Sequence, residues 1–205
     1  MRFVFMGTPA FAAPTLEALV EAGFECAGVW TQPDRPKGRG QQLAISPVKE
    51  AALRLGLAVH QPEKLRTPEQ VALLSSLHVD IAVVVGYGQL IPQSVIDLPR
   101  LGIVNVHASL LPKYRGAAPI QWAIANGEQL TGVTTMLIDA GLDTGAMLLK
   151  AETPIGSQET AEDLSRRLAT LGAKLAVDTV MGLAAGSIRP EPQNQANATW
   201  APVLK

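Results

Sequence analysis

Three polar side chains have the types and spacing that acyl transfer to an amine requires. Asn105 and His107 are two residues apart at the end of an apolar run that is predicted to be a strand, so both point to one face. Polar groups on an otherwise apolar strand cost free energy unless they are paired or used. Asp143 follows a later predicted strand, in a glycine-bearing segment. We therefore expect the three side chains to meet at one site.

The chemistry available to these groups matches the needs of acyl transfer. The reaction needs a group that takes the proton of the attacking nitrogen, a donor for the developing oxyanion and a group that orients the base. His107 can act as the base or, when protonated, as an oxyanion donor, and the Asn105 amide can donate to the same oxyanion. Asp143 can lie near His107 and favour its imidazolium form. No serine or cysteine nucleophile is needed, because the substrate amine attacks directly.

The elements that must position this site follow an α/β pattern. Short apolar runs, which predict strands, alternate with stretches of helical periodicity along most of the chain. The predicted strands are residues 3–6, 25–31, 57–60, 80–85, 102–106, 131–138 and 147–153. The predicted helices run from the region of Pro9 to Gly23, then over 48–55, 68–77 and 160–183. The class is α/β, with an open, mostly parallel twisted sheet and helices on both faces.

The predicted organisation is one catalytic domain over residues 1–188. Residues 189–205 are expected to be a linker toward a C-terminal domain that is absent from this chain. In open α/β sheets, ligands bind outside the carboxyl ends of the strands. Three features lie at predicted strand ends, namely Gly86–Gly88, the segment from His107 onward, and Asp139–Gly145. Their convergence at strand ends also points to a site there.

Composition excludes several classes of function. The net charge of −1 gives no overall attraction to nucleic acid, so any RNA contact must come from a local basic segment. The single cysteine, Cys26, is expected to be a small buried hydrophobe, and a disulfide framework is impossible. We expect no signal peptide and no membrane span. The widely separated His60, His78 and His107 predict no metal site, and the absence of Gly-x-Gly-x-x-Gly argues against a nicotinamide cofactor.

One segment supplies the local basic charge. Gln32–Pro47 contains Arg35, Lys37 and Arg39 among glycines and prolines, and is predicted to be a long exposed loop. Arginine and lysine on such a loop can contact phosphates and stack on splayed bases. The alternative interpretation is an ordinary solvated surface loop.

The motifs around the three polar residues resemble those of the folate-dependent formyltransferase family. The resemblance rests on Asn105-Val-His107, the following Ser109–Pro112 segment and Gly141–Gly145. It implies a Rossmann-like formyltransferase fold, 10-formyltetrahydrofolate as the formyl donor, and Asn105, His107 and Asp143 as the catalytic residues. It also implies a wall of the folate pocket formed by Ser109, Leu110, Leu111 and Pro112. By the same resemblance, the pterin is held by backbone groups of Gln89, Leu90 and Ile91.

Within this family, the chain is most similar to the members that formylate methionyl-tRNA. Gly7-Thr-Pro9 and the basic segment Thr31–Gly40 carry that similarity. It implies that the acceptor is the α-amino group of initiator methionyl-tRNA and that Arg35, Lys37 and Arg39 contact the tRNA. The implied protein is a cytoplasmic monomer that serves translation initiation, with no membrane association.

Alternatives to this interpretation remain open. A sibling formyltransferase or hydrolase would act on a sugar amine, a nucleotide amine or water, and the basic segment argues against it. A non-catalytic folate- or RNA-binding module would bind without transferring a formyl group. A plain Rossmann-like nucleotide binder is disfavoured by the missing glycine fingerprint.

Overall fold

The computed structural model describes residues 1–37 and 42–204. The chain forms two compact units, residues 1–103 and 104–205, which we call the first and second unit. The division falls at the strand that carries Asn105 and His107, so the three predicted catalytic residues all belong to the second unit. The predicted boundary at residue 188 concerns a further domain and stays a prediction.

The first unit is built around four parallel strands in the order β5-β2-β1-β6. Buried apolar runs form β1 and β6, as expected for strands that are covered on both faces. The elements in chain order are β1 (Arg2–Gly7), α1 (Ala13–Glu21), β2 (Glu25–Trp30), β3 (Arg35–Lys37), β4 (Gln42–Ala44), α2 (Pro47–Arg54), β5 (Val59–His60), α3 (Pro68–Ser76), β6 (Ile81–Val85) and α4 (Gln93–Ile96).

Helices cover both faces of β1. Val4 and Met6 line a small apolar gap together with Leu74 of α3 and Val95 of α4. Gly7 belongs to the opposite face, because side chains alternate along a strand. A Cβ atom on Gly7 would lie 3.0 Å from the Cβ of Ala12, which precedes α1. The predicted cover on both faces is therefore confirmed for the first unit.

The basic segment differs from its prediction. Part of the expected long loop forms an antiparallel hairpin in which Arg35 pairs with Ala44, so the loop prediction was wrong for β3 and β4. Pro36 and the glycines hide the alternation that marks a strand. At the base of the hairpin, Asp34 forms an ion pair with Lys49 and accepts a hydrogen bond from Gln61 Nε2 at 2.7 Å. The Lys49 hydrogen bond lowers the pKa of Asp34, and Gln61 adds to the effect.

The second unit contains three antiparallel strands in the order β7-β8-β9. The prediction of an open, mostly parallel sheet is confirmed, and the antiparallel pairings of the main sheet are confined to this unit. Antiparallel β8 and β9 need only a short connection, which is the segment that carries Asp143. The elements in chain order are β7 (Ile103–His107), α5 (Pro119–Ala125), β8 (Leu130–Leu137), β9 (Met147–Pro154) and α6 (Ala161–Ala185).

The long helix α6 packs on β8 and β9 and covers one face of the second unit. Gly172 allows this approach, since a Cβ there would lie 3.0 Å from Val106 Cγ1 and 3.4 Å from Val133 Cγ1. The helix begins where predicted, with Thr160 Oγ1 accepting the Asp163 N–H at 3.2 Å. By length and composition α6 could also cross a bilayer, and 44% of its apolar 18-residue window is buried in the protein.

The segment that follows α6 returns to the body of the second unit. Glu191 and Met147 exchange two backbone hydrogen bonds of 2.8 Å. Arg115 N donates to Thr199 O at 2.8 Å, and Ala201 N donates to Arg115 O at 2.7 Å. The stretch predicted as a linker is thus hydrogen-bonded to the second unit over residues 191–201.

Candidate active site

Asn105 and His107 lie at the carboxyl end of β7, on the face opposite α6. Val106 points toward α6, and strand alternation turns its two neighbours the other way. Asp143 Oδ1 accepts a hydrogen bond of 3.4 Å from Asn105 Nδ2, and its Oδ2 lies 3.7 Å from His107 Nδ1. The structure therefore brings together the three side chains that the sequence predicted to meet. Their catalytic roles stay predictions.

The ring of His107 is fixed by a backbone carbonyl. His107 Nε2 lies 2.8 Å from the carbonyl oxygen of Tyr114, and the His107 side chain is only 7% exposed. Because a carbonyl only accepts, Nε2 must carry a proton in this arrangement. Nδ1 is then the ring nitrogen that faces Asp143. Tyr114 has a left-handed backbone, with φ of +61°, and this conformation accompanies the carbonyl that contacts His107.

The carboxylate of Asp143 is held by a backbone amide as well as by Asn105. Gly116 N donates to Asp143 Oδ2 at 2.9 Å. The backbone of Asp143 is left-handed, with φ of +51°, a region that asparagine and aspartate tolerate better than most residues. Its side chain is 14% exposed, so the carboxylate is largely shielded from solvent but still reachable.

Close backbone packing shapes the segment that carries Asp143. A Cβ atom on Gly145 would lie 1.8 Å from the carbonyl oxygen of Leu137, so only glycine fits there. At the other side of the turn, Asp139 Oδ1 accepts from Gly141 N at 3.0 Å and from Thr144 Oγ1 at 2.7 Å. The segment 139–145 is therefore a compact turn with internal hydrogen bonds.

The Ser-Leu-Leu-Pro segment is partly absorbed into the core of the second unit. Ser109 Oγ donates to Lys113 O at 2.6 Å, and Leu111 packs with Met136 and Met147. Leu110 lies over β8, since its Cδ2 would be 2.6 Å from a Cβ on Gly132. Ser109 and Leu111 are buried, whereas Leu110 and Pro112 are half-buried. A folate wall formed by these four residues stays a prediction.

The predicted pterin-holding residues belong to the first unit. The side chain of Gln89 has a structural use, since its Oε1 accepts from Leu65 N at 2.8 Å and its Nε2 donates to Pro62 O at 2.9 Å. Leu90 is 92% exposed. Among the described residues, the backbone groups of Leu90 and Ile91 make no hydrogen bond. Their contact with the pterin stays a prediction.

The predicted tRNA-contacting residues are only partly described. Arg35 is exposed in β3, and the backbone of Lys37 ends that strand. Arg39 lies outside the described residues. The three residues alternate with Pro36 and Gly38 in the sequence, and their contact with tRNA stays a prediction.

The sequence did not predict the residues that hold the side chains of His107 and Asp143. The Tyr114 carbonyl and the Gly116 N–H contribute through the backbone, which no side-chain pattern reveals. Gln193 and Arg115 were missed as well, although Gln193 Nε2 hydrogen-bonds the carbonyls of Asp143 and Gly145. Gln193 lies in a polar, proline-bearing stretch whose composition is that of a linker. Within the described residues, no group of three or more His, Cys, Asp or Glu side chains could hold a metal ion.

Comparison with known proteins places this geometry in a family. Residues 1–180 match the family described as formyl transferase. The chain belongs to the formyl transferase family. A methionyl-tRNA formyltransferase of Solibacter usitatus is 65% identical over 205 residues, which are the whole of this chain and 66% of that protein. One from Koribacter versatilis is 62% identical, again over the whole chain and 66% of the relative. The chain thus spans just under two thirds of the length of these relatives.

Solved formyltransferases share the fold. A glycinamide ribonucleotide transformylase of Symbiobacterium toebii superposes with a TM-score of 0.76 at 21% identity, over 95% of this chain and 94% of its own. A phosphoribosylglycinamide formyltransferase of Anaplasma phagocytophilum gives 0.78 at 19% identity, over 100% and 99%. An N-formyltransferase of Helicobacter canadensis, solved with folinic acid and dTDP-3-aminofucose, gives 0.71 at 20% identity, over 98% and 70%. The predicted formyltransferase fold is confirmed.

Proposed function

We propose that this chain carries the active site of a methionyl-tRNA formyltransferase. It would transfer the formyl group of 10-formyltetrahydrofolate to the α-amino group of initiator methionyl-tRNA, in the cytoplasm and as a monomer. Family membership supports formyl transfer, and relatives that share 62–65% of its residues carry that name. The observation that carries the proposal is the meeting of Asn105, His107 and Asp143 in the second unit.

The geometry suggests which atoms would stabilise the oxyanion. His107 Nε2 is engaged by the Tyr114 carbonyl, so Nδ1 is the ring nitrogen left to act. A neutral ring would turn the Nδ1 lone pair toward the Asp143 carboxylate, whereas an imidazolium would turn an N–H toward it. The separation of 3.7 Å is longer than a hydrogen bond, so this N–H can serve an oxygen placed beside Asp143. Asn105 Nδ2 also has two hydrogens, of which one at most is used by Asp143.

Formyl transfer then proceeds by addition of the amine to the formyl carbon, followed by elimination of the folate. The methionyl nitrogen forms a bond to the formyl carbon, and the carbonyl oxygen becomes an oxyanion held by Asn105 Nδ2 and His107 Nδ1. The proton of the amine passes to Asp143, directly or through water. Collapse of the oxyanion breaks the bond to N10 of the folate, which takes up the proton from Asp143, directly or through water, and leaves as tetrahydrofolate. The donor is a co-substrate that each turnover consumes.

The test is to incubate the chain with 10-formyltetrahydrofolate and charged initiator methionyl-tRNA and to measure N-formylmethionine. Parallel reactions contain a nucleotide-linked amino sugar, glycinamide ribonucleotide or no acceptor. We expect formylmethionine, and we expect Asp143→Asn to suppress it. Formylation of the sugar or nucleotide amine alone, or release of formate without an acceptor, would identify a sibling activity and refute the proposal. Donor binding without transfer would indicate a binding module instead.

A further inference from the structure

Gln193 reaches into the segment that carries Asp143 from far along the chain. Its Nε2 donates to the carbonyl oxygen of Asp143 at 2.9 Å and to that of Gly145 at 2.8 Å. Both hydrogens of the carboxamide are therefore committed to this segment. The side chain is buried, at 7% exposure, where replacing these bonds by water is not possible without opening the structure.

Arg115 fixes the orientation of this carboxamide. Its Nε and Nη2 donate to Gln193 Oε1 at 3.0 and 2.7 Å. Because a guanidinium can only donate, the oxygen of Gln193 must face Arg115 and the NH₂ group must face the carbonyls. Arg115 is itself buried, at 2% exposure, and its Nη1 donates to Gln195 Oε1 at 2.7 Å. Arg115 is thus held between Gln193 and Gln195, and it in turn fixes the orientation of the Gln193 carboxamide.

The bonds from Gln193 act on a backbone that needs external support. The backbone of Asp143 is left-handed, a conformation that is unfavourable for residues other than glycine, although aspartate tolerates it better than most. Gln193 binds the carbonyl of Asp143 itself and that of Gly145, two residues on. The direction of the Asp143 side chain, and so its contact with Gly116 N, depends on this backbone conformation.

We propose that Gln193, oriented by Arg115, is a positioning residue for Asp143. By holding the carbonyls of Asp143 and Gly145, it keeps the carboxylate against Gly116 N, Asn105 and His107. Its effect on turnover rests on the proposed function, whereas its effect on the place of the carboxylate does not. The two are therefore tested separately.

The first test measures hydrogen exchange of the Gly116 amide in Gln193→Glu. A glutamate keeps the size and the acceptor for Arg115 but turns an oxygen toward two carbonyl oxygens, so the segment should move. Because the Gly116 N–H is bonded to Asp143 Oδ2, we expect its protection to fall about tenfold or more. The Ala118 N–H, which donates to Ala201 O at 3.1 Å, should keep its protection and show that the tail remains in place. Gln193→Met, which lacks both hydrogen-bonding functions, provides a second variant.

Gln195→Glu is the matched control, since Gln195 also binds Arg115 but is exposed and makes no side-chain hydrogen bond to residues 139–145 among the described residues. We expect Gly116 protection and turnover to stay near wild type in this variant. Unchanged Gly116 protection in both Gln193 variants would overturn the proposal, as would an equal loss in Gln195→Glu.

The second test is a double-mutant cycle in the formyl-transfer reaction. We expect Gln193→Glu to lower kcat about tenfold to a hundredfold and to change the KM for the formyl donor by less than about threefold, since a small misplacement suffices for such a loss. In an Asp143→Asn background the same change should cost less than about threefold, because Gln193 acts through Asp143. Equal losses in both backgrounds would show a general structural role and overturn the proposal. If the wild type fails to turn over, the proposed function fails, and the exchange experiment still decides the role of Gln193.

Discussion

The side chains of the site are oriented largely by backbone groups. The carbonyl of Tyr114 faces one nitrogen of His107, and the N–H of Gly116 faces one oxygen of Asp143. Among the described residues, the Asn105 side chain has no hydrogen-bond partner other than Asp143, so its amide is the part of the site most directly available to a reacting oxygen. This division makes Asn105 the residue at which an oxyanion role is tested most cleanly.

Asn105→Ala should lower kcat for formyl transfer about a hundredfold or more, the scale of one lost oxyanion donor. The KM for either substrate should change little, because the lost bond forms in the transition state. Steady-state kinetics with Asn197→Ala, which alters an exposed asparagine outside the site, provides the comparison. Near-normal turnover of the Asn105 variant would remove this residue from the mechanism.

Cys26 offers a second test at the residue scale. Burial raises the pKa of its thiol to about 11, although a backbone hydrogen bond with Gly28 acts in the opposite direction. At pH 8 the thiol is therefore almost entirely protonated, and the thiolate is the reactive form. We expect labelling by a thiol reagent at pH 8 to be at least about tenfold slower than in the urea-unfolded chain, and to accelerate as the pH rises. Equal rates in the folded and unfolded chain would contradict the raised pKa.

At the scale of elements, the turn between β8 and β9 depends on Gly145, because the backbone of Leu137 occupies the space that a side chain would need. Gly145→Ala would place a Cβ 1.8 Å from the Leu137 carbonyl oxygen, so the backbone must shift. We expect a loss of about 2 kcal/mol or more in the free energy of unfolding, measured by urea denaturation, together with lower formyl transfer.

Gly156→Ala is the matched control for this change. A Cβ at Gly156 would meet the Glu159 Cβ at 3.4 Å, which is ordinary contact, and we expect stability within about 0.5 kcal/mol of wild type. Similar losses in the two variants would mean that the turn does not depend on the close approach at Gly145.

The elements that could be predicted from sequence are those with strong periodicity. The strand at Ile81–Val85 and the helix at Ala161–Ala185 were predicted almost at their bounds, because a buried apolar run and a long amphipathic pattern have few alternatives. The hairpin β3–β4 was missed, since strands of three residues are too short to show alternation and β3 also contains a proline. The short α4 and α5 were missed too, because four and seven residues are too few to establish a period.

The candidate site, like the secondary structure, could be predicted from the sequence only in part. Asn105 and His107 could be paired from their spacing on one strand, and Asp143 could be added from its place after a later predicted strand, which the family resemblance supported. The supports could not be foreseen, because Gln193 is fifty residues beyond Asp143 and nothing local distinguishes it from a solvated glutamine. Contacts of such separation are decided by the tertiary structure and not by local pattern.

At the scale of the whole molecule, a net charge of −1 means that any attraction to tRNA would come from local cations. Arg35 is exposed in β3 at the start of the basic segment. If it contacts a phosphate, Arg35→Gln should weaken binding of methionyl-tRNA and reduce the slope of log K against log salt by about 1. The KM for the formyl donor should be unaffected.

Arg54→Gln gives the matched comparison, because Arg54 is exposed but pairs with Glu17. Binding titrations at several salt concentrations should show the wild-type slope for this variant. A slope that is unchanged in Arg35→Gln, or lowered to the same extent in Arg54→Gln, would argue against a specific contact of Arg35 with the tRNA.

The hydrogen bonds of residues 191–201 bear on how such proteins can be dissected and recombined. The family match ends at residue 180 and the last long helix at Ala185, which makes that helix end an inviting place to cut or to splice two homologues. A junction there would separate Gln193 from the turn that it binds. It would pair Asp143 from one parent with the residue at position 193 from the other parent. Chimeras joined after Pro202 would keep Gln193, Asp143 and Gly145 from the same parent. The choice of junction therefore decides whether loss of activity in a hybrid reports on acceptor recognition or only on the loss of the Gln193 hydrogen bonds.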